Sequence, residues 1–118
     1  MKNSIVGGKT FLFALNILGL YKELINRKEY VISRQLLRSS TSIGANIEEA
    51  SAALSKKDFI AKMSITSKEA REARYWLRLL QASNFINGIT YNDLITEVTE
   101  VINMLTKIVK TSQQNLKE

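Results

Sequence analysis

No proline occurs anywhere in this chain of 118 residues. Proline breaks helices and marks turns, so its absence leaves long stretches free to be helical. The apolar residues are spaced to use that freedom, recurring at three- and four-residue intervals nearly throughout. β-Hairpin punctuation is reduced to one dipeptide, Asn87-Gly88, and helical patterns flank it on both sides. The expectation is an all-α protein, one domain over residues 1–118, with a modest core.

Four helices are expected, over about residues 8–26, 30–54, 56–84 and 91–112. Residues 26–29 are a short polar connector. Ser55, with Asp58 three residues on, is a variant capping box that starts the third helix right after the second. Residues 84–88 form the next connector, where Gly88 is placed to end a helix or make a turn. Thr90 with Asp93 repeats the capping pattern, and the polar tail from Thr111 is expected to fray. Turns this short exclude long crossovers, so the expected fold is an antiparallel up-down-up-down four-helix bundle, about 30–40 Å long.

Composition narrows the chemistry. There is no cysteine and no histidine. That removes thiol chemistry, the commonest general base and the commonest metal ligand. No Gly-rich phosphate loop or nucleophile–base pair stands out, so no enzymatic activity, no catalytic residue, no metal and no cofactor is expected. Lys2 and Lys9 ahead of the apolar run at 11–15 faintly resemble a signal peptide. Asn16 interrupts the run, no small-residue cleavage site follows, and the run is too short to span a bilayer, which points to a core helix of a cytoplasmic protein with no membrane partner. A net charge of +6 favours polyanionic partners, or else is an ordinary surface charge that keeps the protein soluble.

Three features need explanation beyond the fold. First, helix one carries two apolar stripes about 110° apart: Phe11, Leu15, Leu18 and Ile25, and Phe13, Ile17, Leu20 and Leu24. One stripe suffices for a monomeric bundle. The second set, Phe13, Ile17, Leu20 and Leu24, is therefore read as an oligomer interface; the competing reading sinks helix one deep in its own bundle. Second, in residues 34–50 (RQLLRSSTSIGANIEEA) an apolar face of Leu36, Ile43, Ile47 and Ala50, continuing to Leu54, lies beside a small and polar stripe that would admit a close neighbour. Folding helix three back about the turn near Ser55 levels Ser42 with Glu69 and Ser39 with Glu72. Arg38, Ser39, Ser42 and Asn46 are then expected to answer Glu69 and Glu72 in a buried polar network, a reading preferred to a metal or acid–base site because Arg38 would repel a cation. Third, Arg71, Arg74 and Arg78 make one ridge on helix three, with Lys68 and Tyr75 nearby and Lys56 and Lys57 towards the turn. These six basic residues are the candidate nucleic-acid-binding site, weighed against a plain solvated face.

Two segments carry a resemblance: SRQLLRSSTSIGANIEEA at 33–50, and SKKDFIAKMSITSKEAREARYWLRLL at 55–80. Residues 11–105 resemble the four-helix-bundle family encoded in intervening sequences of bacterial 23S rRNA genes, and are similar also to accessory variability determinant proteins of diversity-generating retroelements. The most specific parts are residues 35–50 and 68–80; the chain has Ser40 where other members often have glycine. The resemblance implies a homopentamer with a basic surface and carries no catalytic residue. For the retroelement relatives it implies binding to nucleic acid and to a reverse transcriptase. The expected function is thus a non-enzymatic homo-oligomer that binds nucleic acid, structured RNA above all. The alternative is an adaptor that docks an acidic or RNA-loaded protein such as a reverse transcriptase.

Overall fold

The first and third helices stop where the following residues satisfy the carbonyls left over at their ends. The computed structural model describes residues 4–117. Its helices are α1 (Ser4–Asn26), α2 (Ile32–Ala50), α3 (Lys56–Ala82) and α4 (Gly88–Lys117). Each packs against its neighbour in sequence, and α4 closes back on α1. The result is the expected all-α antiparallel bundle, with no strand among the described residues. At 51 × 20 × 20 Å it is longer than the expected length of about 30–40 Å. Helix α4 stays helical to Lys117, where fraying was expected from Thr111.

Helices α1 and α3 end in the same way. Lys28 and Asn84 take left-handed backbone conformations, at φ 64° and 66°. The following N–H groups reach back, Glu29 to the Leu24 carbonyl and Phe85 to the Leu80 carbonyl, both at 2.9 Å. This is the Schellman closure, and asparagine tolerates it better than most residues. Gly88 is thus not needed as a stop signal and instead begins α4. Asn87 caps that helix, its Oδ1 accepting from the Thr90 N–H at 2.8 Å, so Thr90 is not the cap expected from sequence. The Ser55 cap is present as expected, its hydroxyl accepting from the Asp58 N–H at 3.1 Å. Glu29 caps α2 by accepting from the N–H groups of Val31, Ile32 and Ser33.

Several helix bounds differ from the sequence expectation, among them those of α4, which spans Gly88–Lys117 against the expected 91–112. Helix α2 stops at Ala50, and Leu54, expected on its apolar face, is 99% exposed in the following turn. Helix α1 starts earlier, running through Gly7 and Gly8 to reach Val6, which is buried. Burying that side chain, worth about 1.5–3 kcal/mol, is large enough to offset much of the roughly 1 kcal/mol that each glycine costs a helix.

The two faces of α1 are the reverse of the expectation. Phe13, Ile17 and Leu24 are fully buried and Leu20 is 5% exposed, so the four residues read as an oligomer interface form the bundle's own core. The outward stripe is Phe11 (65% exposed), Leu15 and Leu18. Continuity decides between them. The inner stripe extends without a break as Val6, Thr10, Phe13, Ile17, Leu20 and Leu24, all buried. The outer one meets Lys22 after Leu18.

The small residues of α2 serve two neighbours. Ser39 is buried on the side towards α3, while a Cβ placed on Gly44 would lie 3.8 Å from the Thr10 hydroxyl of α1. Ser40 is fully buried and its hydroxyl has no hydrogen-bond partner. The hydroxyl therefore gains nothing from burial, and the position does not require serine.

Candidate nucleic-acid interface

The carboxylates of Glu69 and Glu72 do meet a cation, but the arrangement is smaller and wetter than expected. Arg38 donates to Glu69 at 3.2 Å and to Glu72, and its Nε donates to Gln35 Oε1 at 3.2 Å. The Trp76 indole N–H donates to Glu72 at 2.9 Å. Ser39 donates to the Gln35 and Leu36 carbonyls, and Asn46 to the Ser42 carbonyl, all within α2. Ser39, Ser42 and Asn46 therefore do not form the expected buried network with Glu69 and Glu72. Their side chains are short, and backbone carbonyls one turn away on their own helix are nearer. Arg38 alone spans the gap, and its side chain is 47% exposed. An ion pair this open contributes on the order of 1 kcal/mol or less. The register itself holds: Lys62 of α3 pairs with Glu49 of α2 at 3.0 Å, the same level about the turn as Ser42 with Glu69. This contact raises the Lys62 pKa, through its hydrogen bond to Glu49 and the charge on that carboxylate.

The opposite side of α3 is basic. Lys56, Lys57, Lys68, Arg71 and Arg78 are exposed and Arg74 is half-buried. Arg71, Arg74 and Arg78 follow one ridge, with Tyr75 52% exposed beside it. None of these six cations enters an ion pair among the described residues; the salt bridges there use Lys9, Arg38 and Lys62 instead.

Helix α4 extends this face in a way the sequence reading missed. Its stripe of Asn92, Thr99, Asn103, Thr106, Lys110 and Gln113 holds no carboxylate. Ser64, Ser67 and Arg71 of α3 line a groove of about 290 Å³ with Thr106, Lys110 and Gln113 of α4. The signal was available in that stripe, whose three- and four-residue spacing gives α4 an acid-free side. The acids of α4 turn the other way. Glu97 accepts from Asn16 at 2.9 Å and Glu100 pairs with Lys9 at 2.9 Å, both on α1.

No helix among the described residues is long and apolar enough to cross a membrane. Nor do the described residues gather three or more metal-ligating side chains in one place. The largest cleft described, about 690 Å³, lies at the end of the bundle near the α3–α4 connector. There Arg27 donates to the Phe85 and Asn84 carbonyls and stacks on the Phe85 ring, 4.9 Å from its centre. Its guanidinium completes the C-terminal end of α3, a structural task.

Comparison with known proteins agrees with this fold. The chain is 47% identical to a crystal structure of a protein of unknown function from the S23 ribosomal protein family of Bacteroides thetaiotaomicron. The match covers 89% of this chain and 98% of that one, with a TM-score of 0.87. No curated protein matches the sequence. The family model for the 23S rRNA-intervening sequence protein matches residues 2–107. With nearly its whole length matched and its four helices arranged as in the solved relative, the chain belongs to the 23S rRNA-intervening sequence protein family.

Proposed function

We propose that this protein is a non-enzymatic homo-oligomeric bundle that binds nucleic acid, structured RNA above all, through the basic face of α3. One observation carries the proposal: Lys56, Lys57, Lys68, Arg71, Arg74 and Arg78 share a side of the bundle, and none has an acidic partner among the described residues. Phosphates meeting such a face release counterions, which drives binding without reading sequence. The assembly uses the outward stripe of α1, where Phe11, Leu15 and Leu18 are exposed, together with Leu12 at 59% and Ile5 at 69%. An apolar strip of this kind is unusual on a monomer. The pentamer implied by the family resemblance is the oligomer proposed.

The test is direct. Changing Arg71, Arg74 and Arg78 to Glu is expected to weaken binding to a structured RNA at low salt about a hundredfold or more, with the oligomer unchanged. Wild-type affinity falls steeply as salt rises; a flat response would exclude phosphate-dominated binding. A second reading is supported by Tyr75 and Leu79, which are exposed on α3 beside the basic residues. Apolar groups beside positive charge suit a protein surface. In that reading the bundle is an adaptor for an acidic or RNA-loaded partner, such as the reverse transcriptase of a retroelement. A complex with a co-expressed reverse transcriptase that survives nuclease treatment would favour it.

A further inference from the structure

We infer that the groove between α3 and α4 is a phosphate track, in which a nucleic-acid backbone lies lengthwise and is held from both helices. The inference rests on the proposed nucleic-acid binding and locates it. Both walls of the groove contribute a cation, Arg71 from α3 and Lys110 from α4. No carboxylate lines it, and neither cation enters an ion pair among the described residues. Two like charges facing one cleft repel each other, and no ion pair among the described residues relieves that repulsion. A chain of phosphates between them would offset it, and the walls would shield the contact from solvent better than an open ridge can.

The neutral lining points the same way. Ser64 and Ser67 bring hydroxyl donors beside Arg71, and hydroxyls are common phosphate partners. Thr106 is different, because its hydroxyl already donates to the Ile102 carbonyl at 2.8 Å. Towards the groove it can only accept a hydrogen bond. An acceptor lining the same groove as Arg71 and Lys110 suits a ribose 2′-hydroxyl, the donor that RNA has and DNA lacks.

Fluorescence anisotropy on the full chain tests this, using a labelled stem-loop RNA and DNA of the same sequence at low salt. Ser67→Trp fills the groove without changing charge, and Lys110→Glu reverses the α4 wall outside the α3 ridge. Circular dichroism shows whether each variant keeps its helices. Each is expected to weaken RNA binding at least about tenfold, and RNA is expected to bind more tightly than DNA. Wild-type affinity in Lys110→Glu, or in a folded Ser67→Trp, overturns the track. If the Arg71, Arg74 and Arg78 reversal still weakens binding about a hundredfold in that case, the α3 ridge survives as the site. Equal binding of RNA and DNA overturns the ribose contact at Thr106. Wild-type protein that binds neither probe overturns the track and the proposed function together.

Discussion

Helix α4 is the shared wall of two grooves with opposite chemistry. On the α3 side the charged lining is Arg71 and Lys110, in a groove of about 290 Å³. On the α1 side it is Glu23, Asp93 and Glu97, in a groove of about 400 Å³ beside Leu15 and Leu20. A net charge of +6 describes neither surface. The basic face is strong because the acids have been drawn elsewhere: Glu97 and Glu100 engage Asn16 and Lys9 of α1, while Glu69 and Glu72 engage Arg38 of α2. The partition also separates two tasks. The apolar stripe proposed for self-association lies on α1, and the residues proposed for nucleic acid lie on α3 and α4.

The largest effects should come from testing the two faces of α1. Phe13→Ala is expected to destabilise the fold by about 3–5 kcal/mol, because it empties a fully buried site. Phe11→Asp should leave the isolated bundle's stability nearly unchanged and break the oligomer, as read by light scattering. A stable Phe13→Ala, or an intact oligomer in Phe11→Asp, would mean the faces have been assigned the wrong way round.

Next comes a charge exchange across α4. Lys110→Glu with Glu97→Lys leaves net charge unaltered while moving a positive charge from one groove to the other. RNA affinity is expected to fall about tenfold. Unchanged affinity would mean that overall charge matters and the grooves do not.

Smaller effects concern the scaffold beneath both grooves. Burial raises the Glu29 pKa, but the N–H groups of Ser33, Ile32 and Val31 and the Ser33 hydroxyl outweigh it and hold the carboxyl below its ordinary value. A folded pKa below the unfolded one gives stability that is complete above the unfolded value and is lost as pH falls through the folded value. Glu29→Gln should therefore cost about 1 kcal/mol near neutral pH and flatten the loss of stability in acid, as followed by thermal melts. Ser40→Ala removes a hydroxyl that is buried without a partner. It is expected to raise stability by about 1 kcal/mol without affecting RNA binding; a lower melting temperature would show that the hydroxyl has a partner after all.

The Ser55 cap, the four helices and the antiparallel order were legible because each is a local signal: a residue type at a fixed offset, or a three- to four-residue period. The register between α2 and α3 followed from counting about a tight turn, and the Glu49–Lys62 pair agrees with it. The ends of α1 and α3 fell within two residues of the expectation, although the left-handed Lys28 and Asn84 that close them carry no glycine signal. The ends of α2 and α4 were less legible, because the apolar pattern runs past Ala50 to Leu54 and the polar tail after 111 gives no stop. Within the candidate site, the Arg71–Arg74–Arg78 ridge was visible as a repeat on one helix. Its second wall at Lys110 was not read, because it depends on which side of α4 meets α3.

The sequence by itself determined how many helices form, roughly where they run, and that positive charge gathers on α3. Periodicity and composition suffice for that, since they act within single helices. Only the tertiary structure decided which stripe of α1 turns inward and which carboxylates of α4 face α1. It also decided that Arg38 alone, and not Ser39, Ser42 or Asn46, answers Glu69 and Glu72. Those choices depend on helix rotation and side-chain reach. Both are fixed when all four helices bury their apolar surfaces together, and no single stretch of sequence encodes that joint solution.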